Sequence, residues 1–456
     1  MIYLVKDFGA IADGKTLNTQ AVQKTVDECS ANGGGIVRFD RGRYVLGTIF
    51  LRSNVTIEIP EGTEILGAES YYDYAQEEKV DYPIYQDSSH TYFHPSMFVG
   101  IDCGNVKIAG GGKIDMRSVW DEDGVRGVAI KHRGAKCIAL KNCKNVEISN
   151  LEINNATDLA IYFAGCENVD IYGIKMRVYI DGISPDNSKN VSIHDCDVET
   201  GDDGIVFKSS YTLNRLDICK DIHVWNCRVK SRCNALKFGT ETNGGFKDIL
   251  IENIDIRETR ITGISIESVD GAIVDGITIR NVKMRNVNAP IFVHIGKRMR
   301  GPAGREIGKI RNVMLENITA DGPYEEYEIM PWNYFSYKAG DTKQNPKVFG
   351  VAESFDGTTP TEDWQMTSNI CGLKESPLEN IILRNVHLKL DGGVQTYKKE
   401  VPEEAQDYPE VFVYGRILPA KGIYFRNING LILDNVTVKT YREDVREDFV
   451  FNNIKF

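Results

Sequence analysis

The feature of this chain that most constrains its fold is a short pattern, Asn-Val-x-Ile, which returns with small variations along most of its length. In the most regular stretch, copies start at residues 145, 168, 190, 221, 248 and 276, so that 22 to 31 residues separate neighbouring copies. A period of about 20 to 50 residues is typical of solenoids, in which each unit packs only against its neighbours. The copies begin at Asn54, Asn105, Asn145, Asn168, Asn190, Asp221, Asp248, Gly276, Asn312, Asn380 and Gly430.

Each unit consists of short alternating runs of β-branched residues separated by Asn, Asp or Gly, with few helical stretches. Units made only of strands predict an all-β fold, a right-handed parallel β-helix, here a single domain over residues 1–456. The recurrent Asn suits a turn position with left-handed backbone, or a ladder of stacked side chains. A β-sandwich has similar short strands but lacks such in-register recurrence.

The open ends of a solenoid expose strand edges and need a cap. We assign residues 1–50 to an N-terminal cap region, with an amphipathic helix over 18–31, Asn18 as its N-cap and Asn32-Gly33 at its end. The repeat lapses at 323–370, rich in Tyr and Trp, and again at 397–416. The aromatic segment is either an ordered excursion packed on the solenoid or a wall of a groove where sugars stack on rings.

Composition excludes several classes of partner and cofactor. The 456 residues carry a formal net charge of −11 without a long basic run, so we expect no nucleic-acid partner. An acidic chain also repels a polyanionic substrate unless cations are concentrated at the site. Ten cysteines occur without CxxC pairs, which indicates buried thiols and neither a zinc site nor disulfides. We expect no cofactor.

The N-terminal sequence lacks the basic region of a secretory signal, and nowhere do 18 apolar residues run together. We therefore expect no membrane span and a cytoplasmic protein, or a secreted one if a leader has been removed. The sequence does not indicate an oligomeric state.

The strand that follows each turn repeats a hydrophobic pattern around Gly-Ile. Alternation directs Ile183, Ile205, Leu236, Ile264 and Ile291 inward, and the other parity is expected to face solvent. That parity forms three columns. The columns are Asp181, Asp203, Asn234 and Thr262; Ser184, Val206, Lys237, Ser265 and Phe292; and Lys208, Gly239, Glu267 and His294.

Three acidic residues stand together in this alignment. Parallel strands lie about 4.8 Å apart, so Asp181 and Asp203 are predicted neighbours, with Asp202 offset by one residue. Carboxylates this close repel one another, and at least one should have a raised pKa. Glycosidic cleavage needs such paired carboxyl groups, one donating a proton and another activating water or attacking the sugar. A metal site or solvated turn acids are the alternatives.

Three segments carry a family resemblance: Lys6-Asp-Phe-Gly-Ala-Ile-Ala-Asp-Gly-Lys, Gly110-Gly-Gly-Lys-Ile-Asp and, most specifically, Asp181-Gly-Ile followed by Gly201-Asp-Asp-Gly-Ile. With them the chain resembles the polygalacturonase family of glycoside hydrolases (family 28), in the pectin-lyase-like β-helix superfamily. The resemblance implies an inverting hydrolase of a pectin-related or other plant glycan. It also implies Asp202 as general acid, with Asp181 and Asp203 holding and deprotonating the water.

The chain departs from this family beside the predicted acids. Asn234 replaces the family's His, and Ser265-Ile-Glu267 replaces an Arg-x-Lys that grips a substrate carboxylate. These changes argue against an ordinary galacturonan subsite. The candidate substrate-binding residues are Asn234, Lys237, Glu267, Lys208, His294, Lys297 and Arg298. For each cation a solvated surface charge is an equal alternative, as is pairing of Glu267 with Lys237 across coils.

Two other functions are compatible with the sequence. One is a polysaccharide lyase on the same fold, with Ca²⁺ at the acidic cluster and Lys237 as base. The other is a non-catalytic glycan-binding β-helix. Among hydrolases, we favour one that works from the chain end on imported oligosaccharides, with long loops closing one end of the groove.

Overall fold

The computed structural model describes residues 1–119, 133–322, 366–403 and 409–456. The strands of these residues stack in parallel, and each strand pairs with one that lies a full coil further along the chain. Three ladders of strands run along the molecule as the faces of a parallel β-helix, which confirms the predicted fold. The crossovers are right-handed, as in nearly all parallel β-structures.

The first two ladders begin at the N-terminus. The first contains Ile2–Leu4, Gly35–Arg38, Val55–Glu58, Gly104–Ala109, Lys144–Ser149, Glu167–Tyr172, Lys189–His194 and Ile218–Trp225. The second contains Asp13–Leu17, Gly42–Leu46, Thr63–Gly67, Lys113–Asp115, Glu152–Asn154, Lys175–Val178, Asp197–Thr200 and Arg228–Ser231.

The third ladder carries the candidate site. It contains Ile49–Phe50, Ser96–Ile101, Lys136–Lys141, Ile161–Ala164, Ile183–Asp186, Ile205–Ser209 and Asn234–Thr242. Towards the C-terminus longer strands pass through more than one ladder. They are Gly245–Ser268, Ile273–Ile295, Lys309–Asp321, Leu378–Gly392, Ala420–Arg442 and Glu447–Lys455, with the short strand Ser368–Cys371 between them.

The interior of the coil is a continuous apolar column. Ile183, Ile205, Leu236, Ile264 and Ile291 are register partners on successive coils and are fully buried, as alternation predicts. They belong to one cluster that extends from Val5 to Val438. All ten cysteines are free and buried, which confirms their expected role as apolar thiols.

The recurrent Asn residues turn the chain and also bond to one another. Asn54, Asn105, Asn145 and Asn168 all have φ between 56° and 62°, the left-handed region that Asn tolerates well. The side-chain amides of Asn105, Asn145 and Asn168 each donate to the Asn one coil before, at 2.7, 2.9 and 2.9 Å. Both expected roles of this residue are therefore present.

The N-terminal end is covered by the helix Thr19–Ala31, which buries Val22, Val26 and Cys29. The other helices in the described part of the chain are short: Ser88–Thr91 and the 3₁₀ turns Val5–Phe8 and Tyr71–Asp73. Asn18 precedes the capping helix as expected, but its side chain makes no capping hydrogen bond. It accepts from the Ile11 amide at 2.7 Å instead, which ties the preceding loop down.

The two predicted excursions differ in what the structure describes. Most of the aromatic segment, residues 323–365, lies outside the described residues, whereas Ser368–Cys371 is a strand of the third ladder. Residues 409–416 lie against that ladder, where Val411, Phe412 and Val413 are buried in a second apolar cluster. Among the described residues, no helix is long and apolar enough to cross a membrane.

Candidate active site

The structure brings the three predicted aspartates together at the entrance to the third ladder. Asp181 and Asp203 each precede their strand by two residues, and the strands are register neighbours through Ile183 and Ile205. The backbone amide of Asp203 lies 3.3 Å from Asp181 Oδ1 and donates to it. The strand register therefore places these carboxylates side by side, as the column alignment predicts.

The expectation that this parity faces solvent is wrong. Asp181 is 4% exposed and Asp203 6%, whereas the Asp202 side chain keeps 18% of its surface. The cause is that other segments of the protein pack against the outside of the coil on both sides of the aspartates. On one side Tyr162 donates to the His90 carbonyl at 3.0 Å, and on the other Tyr414 meets His294 at 3.0 Å.

Asp202 is held in place by hydrogen bonds to its backbone carbonyl. Thr200 Oγ1 and Ser231 Oγ both donate to the Asp202 carbonyl, at 2.7 and 2.6 Å. Burial, reinforced by the charges of Asp181 and Asp203, raises the pKa of the Asp202 carboxyl to about 7, against the opposing charge of Arg133. At neutral pH this side chain is therefore protonated in much of the population, as a general acid requires.

Asp181 has a different environment because a lysine lies beside it. Lys208 Nζ is 3.5 Å from Asp181 Oδ2 and 3.2 Å from Glu241 Oε2. Burial raises the pKa of Asp181, and the Lys208 charge opposes that rise. Against burial, the charges of Lys208 and His90 hold the pKa of Glu241 well below its usual range. Lys208 thus stabilises two buried carboxylates.

One predicted column is wrong at Lys208. The sequence aligns Lys208 with Gly239, but the ladder register shifts after Phe207, which pairs with Phe238, and Ser209 pairs with Thr242. The extra residues between these pairs form an irregularity that turns Glu241 towards Lys208. Alternation cannot predict such a shift, because it assumes an unbroken ladder.

Asp203 is bound by the residue that replaces the family's His. The Asn234 side-chain amide donates to Asp203 Oδ1 at 2.8 Å, and its backbone amide does so at 3.1 Å. Lys237 Nζ lies 3.4 Å from Asp203 Oδ2, 2.6 Å from Glu410 Oε1 and 3.9 Å from Glu267 Oε1. The expected approach of Glu267 to Lys237 across coils is therefore present.

The other predicted substrate-binding residues have protein partners. His294 is fully buried and meets Tyr414. Lys297 forms an ion pair with Glu375. Arg298 pairs with Asp270 at 2.5 Å and donates to the Thr240 carbonyl. Of the predicted cations, Lys237 and Lys208 therefore contact the aspartates, whereas Lys297 and Arg298 pair with other carboxylates.

Several residues of the site were missed by sequence reasoning. Arg133 Nη2 approaches Asp202 to 3.8 Å and Nη1 approaches Asp158 to 3.7 Å. His90 bonds to Asp87 at 2.7 Å and lies 3.9 Å from Glu241. Glu410 is 173 residues beyond Lys237 along the chain. No repeat or motif marks these positions, because they lie outside the strands or on segments folded back over them.

One group within the described residues has the spacing of a cation site: Asp202, Asp203 and Cys233 offer ligand atoms within 4.8 Å of one another. Its chemistry fits a cation poorly. Burial raises the pKa of the Cys233 thiol well above its usual range, so the thiolate that binds metals is disfavoured. Arg133 and Lys237 already lie within 4 Å of the two carboxylates.

Clustered carboxyl groups, one of them protonated near neutral pH, on a parallel β-helix define a site of the glycosidase class. The model of the glycosyl hydrolases family 28 matches residues 54–329, and the chain belongs to this family. The resemblance noted in the sequence is thereby confirmed, and the protein is a glycosidase.

Similar proteins include a probable polygalacturonase of Vitis vinifera, 26% identical over 405 residues, or 84% of this chain and 73% of that protein. An exo-poly-alpha-D-galacturonosidase of Dickeya chrysanthemi is 24% identical over 62% of this chain and 55% of its own. Among solved structures, an exopolygalacturonase of Thermotoga maritima has a TM-score of 0.67 at 18% identity, covering 95% of this chain and 92% of its own. That of Yersinia enterocolitica has a TM-score of 0.66 at 19% identity, covering 100% and 78%. These structures share the fold.

Proposed function

We propose that this protein hydrolyses a pectin-related glycan by single displacement, with water as the nucleophile. The observation that carries the proposal is the raised pKa of Asp202, about 7, beside two further carboxylates on one face of the coil. Similarity to proteins named for polygalacturonan cleavage supports a pectic substrate.

In the proposed step Asp202 donates its proton to the glycosidic oxygen as the bond from that oxygen to the anomeric carbon breaks. Asp181 and Asp203 orient a water on the opposite face of the sugar. The water oxygen bonds to the anomeric carbon, and its proton passes to one of these two carboxylates. Lys208 favours the ionised form of Asp181. Asn234 donates a hydrogen bond to Asp203, and Lys237 lies 3.4 Å from its other oxygen, which fixes the position of this carboxyl group.

The spacing of the acids makes stereochemistry the sharpest test. Asp202 and Asp203 offer oxygens within 4.8 Å of each other. Inverting pairs are usually about 6.5–9.5 Å apart, and retaining pairs about 5–5.5 Å. We assign inversion because two carboxylates, Asp181 and Asp203, stand opposite one acid, and because of the family resemblance. A nucleophilic mechanism needs only one of these two.

The experiment follows the anomeric proton of the first product by NMR during digestion of pectic oligosaccharides with α-linkages. Inversion gives the β-anomer before mutarotation. Initial release of the α-anomer contradicts single displacement, and it would reassign Asp203 or Asp181 as the nucleophile.

A further inference from the structure

Lys237, the lysine that contacts Asp203, already forms an ion pair with a second carboxylate of the protein. Lys237 donates to Glu410 at 2.6 Å, closer than it lies to Asp203 at 3.4 Å or to Glu267 at 3.9 Å. Asn234 also lies 3.4 Å from both Glu410 oxygens, so the carboxylate sits between the two residues that hold Asp203. By the family resemblance, the cations that grip a substrate carboxylate would lie in this region, where this chain has Asn234 and Glu267.

Glu410 is fixed in this position by the segment that carries it. Its carbonyl accepts from the Val413 amide at 2.8 Å, and the Val411 carbonyl accepts from Asn369 on the third ladder at 2.8 Å. Val411, Phe412 and Val413 are buried in an apolar cluster with residues of that ladder. A carboxylate anchored in this way does not need a substrate to place it.

The described part of the site carries no surplus of positive charge. Lys237 lies within 4 Å of Asp203, Glu410 and Glu267, the last of which is mainly neutral, and Lys208 lies within 4 Å of Asp181 and Glu241. Arg133 lies within 4 Å of Asp158 and Asp202, and Lys136 shares Asp158 with it. A further carboxylate brought here by a substrate would meet net repulsion in a poorly solvated space.

We propose that Glu410 is the specificity-determining residue of this site, because its carboxylate takes the place of a substrate carboxylate on Lys237. The sugar bound beside Asp203 on that side then carries no charge: it is a neutral hexose or a methyl-esterified uronate. The inference rests on the proposed hydrolase function and adds the chemical class of this sugar.

Glu267 supports the same conclusion from the next coil. It stands where the family has a cation, it is fully buried, and its Oε1 accepts from Ser265 at 2.7 Å. Burial raises the pKa of this carboxyl to about 8, with Lys237 opposing and Glu410 adding to the rise. At neutral pH the position therefore contributes mainly a neutral acid and no positive charge to attract a uronate.

The test uses three matched oligosaccharides that differ only at the carboxyl carbon: an oligogalacturonate, its methyl ester and its carboxyl-reduced form. For the wild-type protein, kcat/KM should be about tenfold or more higher for the two neutral forms, because a buried like charge costs at least one factor of ten. Glu410→Gln removes the charge at constant size and should raise kcat/KM for the acid form by about tenfold relative to the neutral forms.

Glu64→Gln is the matched control, since it makes the same change in a surface ion pair with Arg43 and should leave the ratio of substrates unchanged. Should Glu410→Gln fail to fold, the salt dependence of the wild-type KM gives the same information. Rising salt should lower KM for the acid form and leave the neutral forms unaffected, since screening weakens the repulsion.

A wild-type preference for the acid form, unchanged by Glu410→Gln or by salt, overturns the assignment of Glu410 and leaves the hydrolase in place. Lack of cleavage of all three compounds by the wild-type protein overturns the proposed pectic substrate, and with it this inference.

Discussion

At the scale of single residues, the three aspartates are distinguished by what surrounds each carboxyl group. Asp202 is buried beside two acids, and the charges of Arg133 and Lys237 oppose the resulting rise in its pKa. Asp181 has Lys208 at 3.5 Å, and Asp203 has Asn234 at 2.8 Å and Lys237 at 3.4 Å. Where the surroundings of paired carboxyl groups give them different pKa values, the group with the higher pKa acts as the acid and the other as the base.

The pH dependence of activity should follow from this difference. A general acid works only while protonated, so kcat/KM should fall as pH rises through about 7, the pKa of Asp202. On the acidic side activity should fall as Asp181 takes up a proton, and because its pKa is raised this limb lies above the usual range of an aspartate. A pH–rate profile measures both limbs. Full activity retained at pH 9 would contradict the assignment of Asp202.

Asp202 should also lower the stability of the folded protein in alkaline solution. Its pKa is higher in the folded than in the unfolded state, so the folded state binds more protons between about pH 4 and 7, and stability falls as pH rises through that range. Asp202→Asn removes this contribution and should raise Tm at pH 8 more than at pH 4. Asp197→Asn, on an aspartate paired with Arg228 at the surface, is the control. Equal Tm shifts at both pH values would show that burial does not act on this charge.

The sequence predicted the positions of the three aspartates better than the positions of the charged residues around them. The doublet Gly201-Asp-Asp-Gly and the spacing to Asp181 suffice to place three carboxylates on neighbouring coils. No such signal marks Glu241, which pairs with Lys208, or Glu410, which pairs with Lys237. One follows a break in the ladder and the other comes from a segment far along the chain, so only the folded chain brings them to the site.

At the scale of elements, the turns are stabilised by a ladder of side chains. Asn145, Asn168 and Asn190 donate to one another in sequence at 2.7 to 2.9 Å, and all three have positive φ. Each residue therefore serves the backbone of its own turn and the stacking of two coils. The period of Asn in the sequence predicted both effects because each requires the same residue.

Substitutions at Asn168 should separate these two effects. Asn168→Gly keeps the left-handed backbone accessible and removes the hydrogen bonds, at a cost of about 1 kcal/mol in the free energy of unfolding. Asn168→Ala adds the strain of φ near 59° and should cost about 1 kcal/mol more. Chemical denaturation of the two variants measures the difference. An Ala variant as stable as the Gly variant would contradict a backbone role for this position.

At the scale of the whole molecule, the acids lie between two covered regions of the third ladder. The segment around His90 covers the ladder on the N-terminal side, and residues 409–416 cover it on the C-terminal side. The coil was predictable from the repeat, since every unit obeys the same spacing. The segments that cover the ladder could not be predicted, because they lie outside the repeat and no periodicity indicates where they pack.

The continuous interior predicts how the molecule unfolds. Among the described residues, one apolar cluster extends from Val5 to Val438. The single domain over residues 1–456 stays a prediction, and this cluster is the reason to test it by unfolding. Heating should therefore give one cooperative transition, with near- and far-ultraviolet circular dichroism changing together. Two separated transitions in calorimetry would instead divide the solenoid into independent units.

The central claim, that Asp202 protonates the leaving oxygen, is tested most directly by comparing two substrates with the Asp202→Asn variant. On the pectic glycan kcat should fall by about 10²–10⁴, since the leaving sugar needs a proton. On a nitrophenyl glycoside of the released sugar, whose leaving group departs without one, the loss should be less than about tenfold. Equal losses on both substrates, or undiminished cleavage of the glycan, would contradict the account.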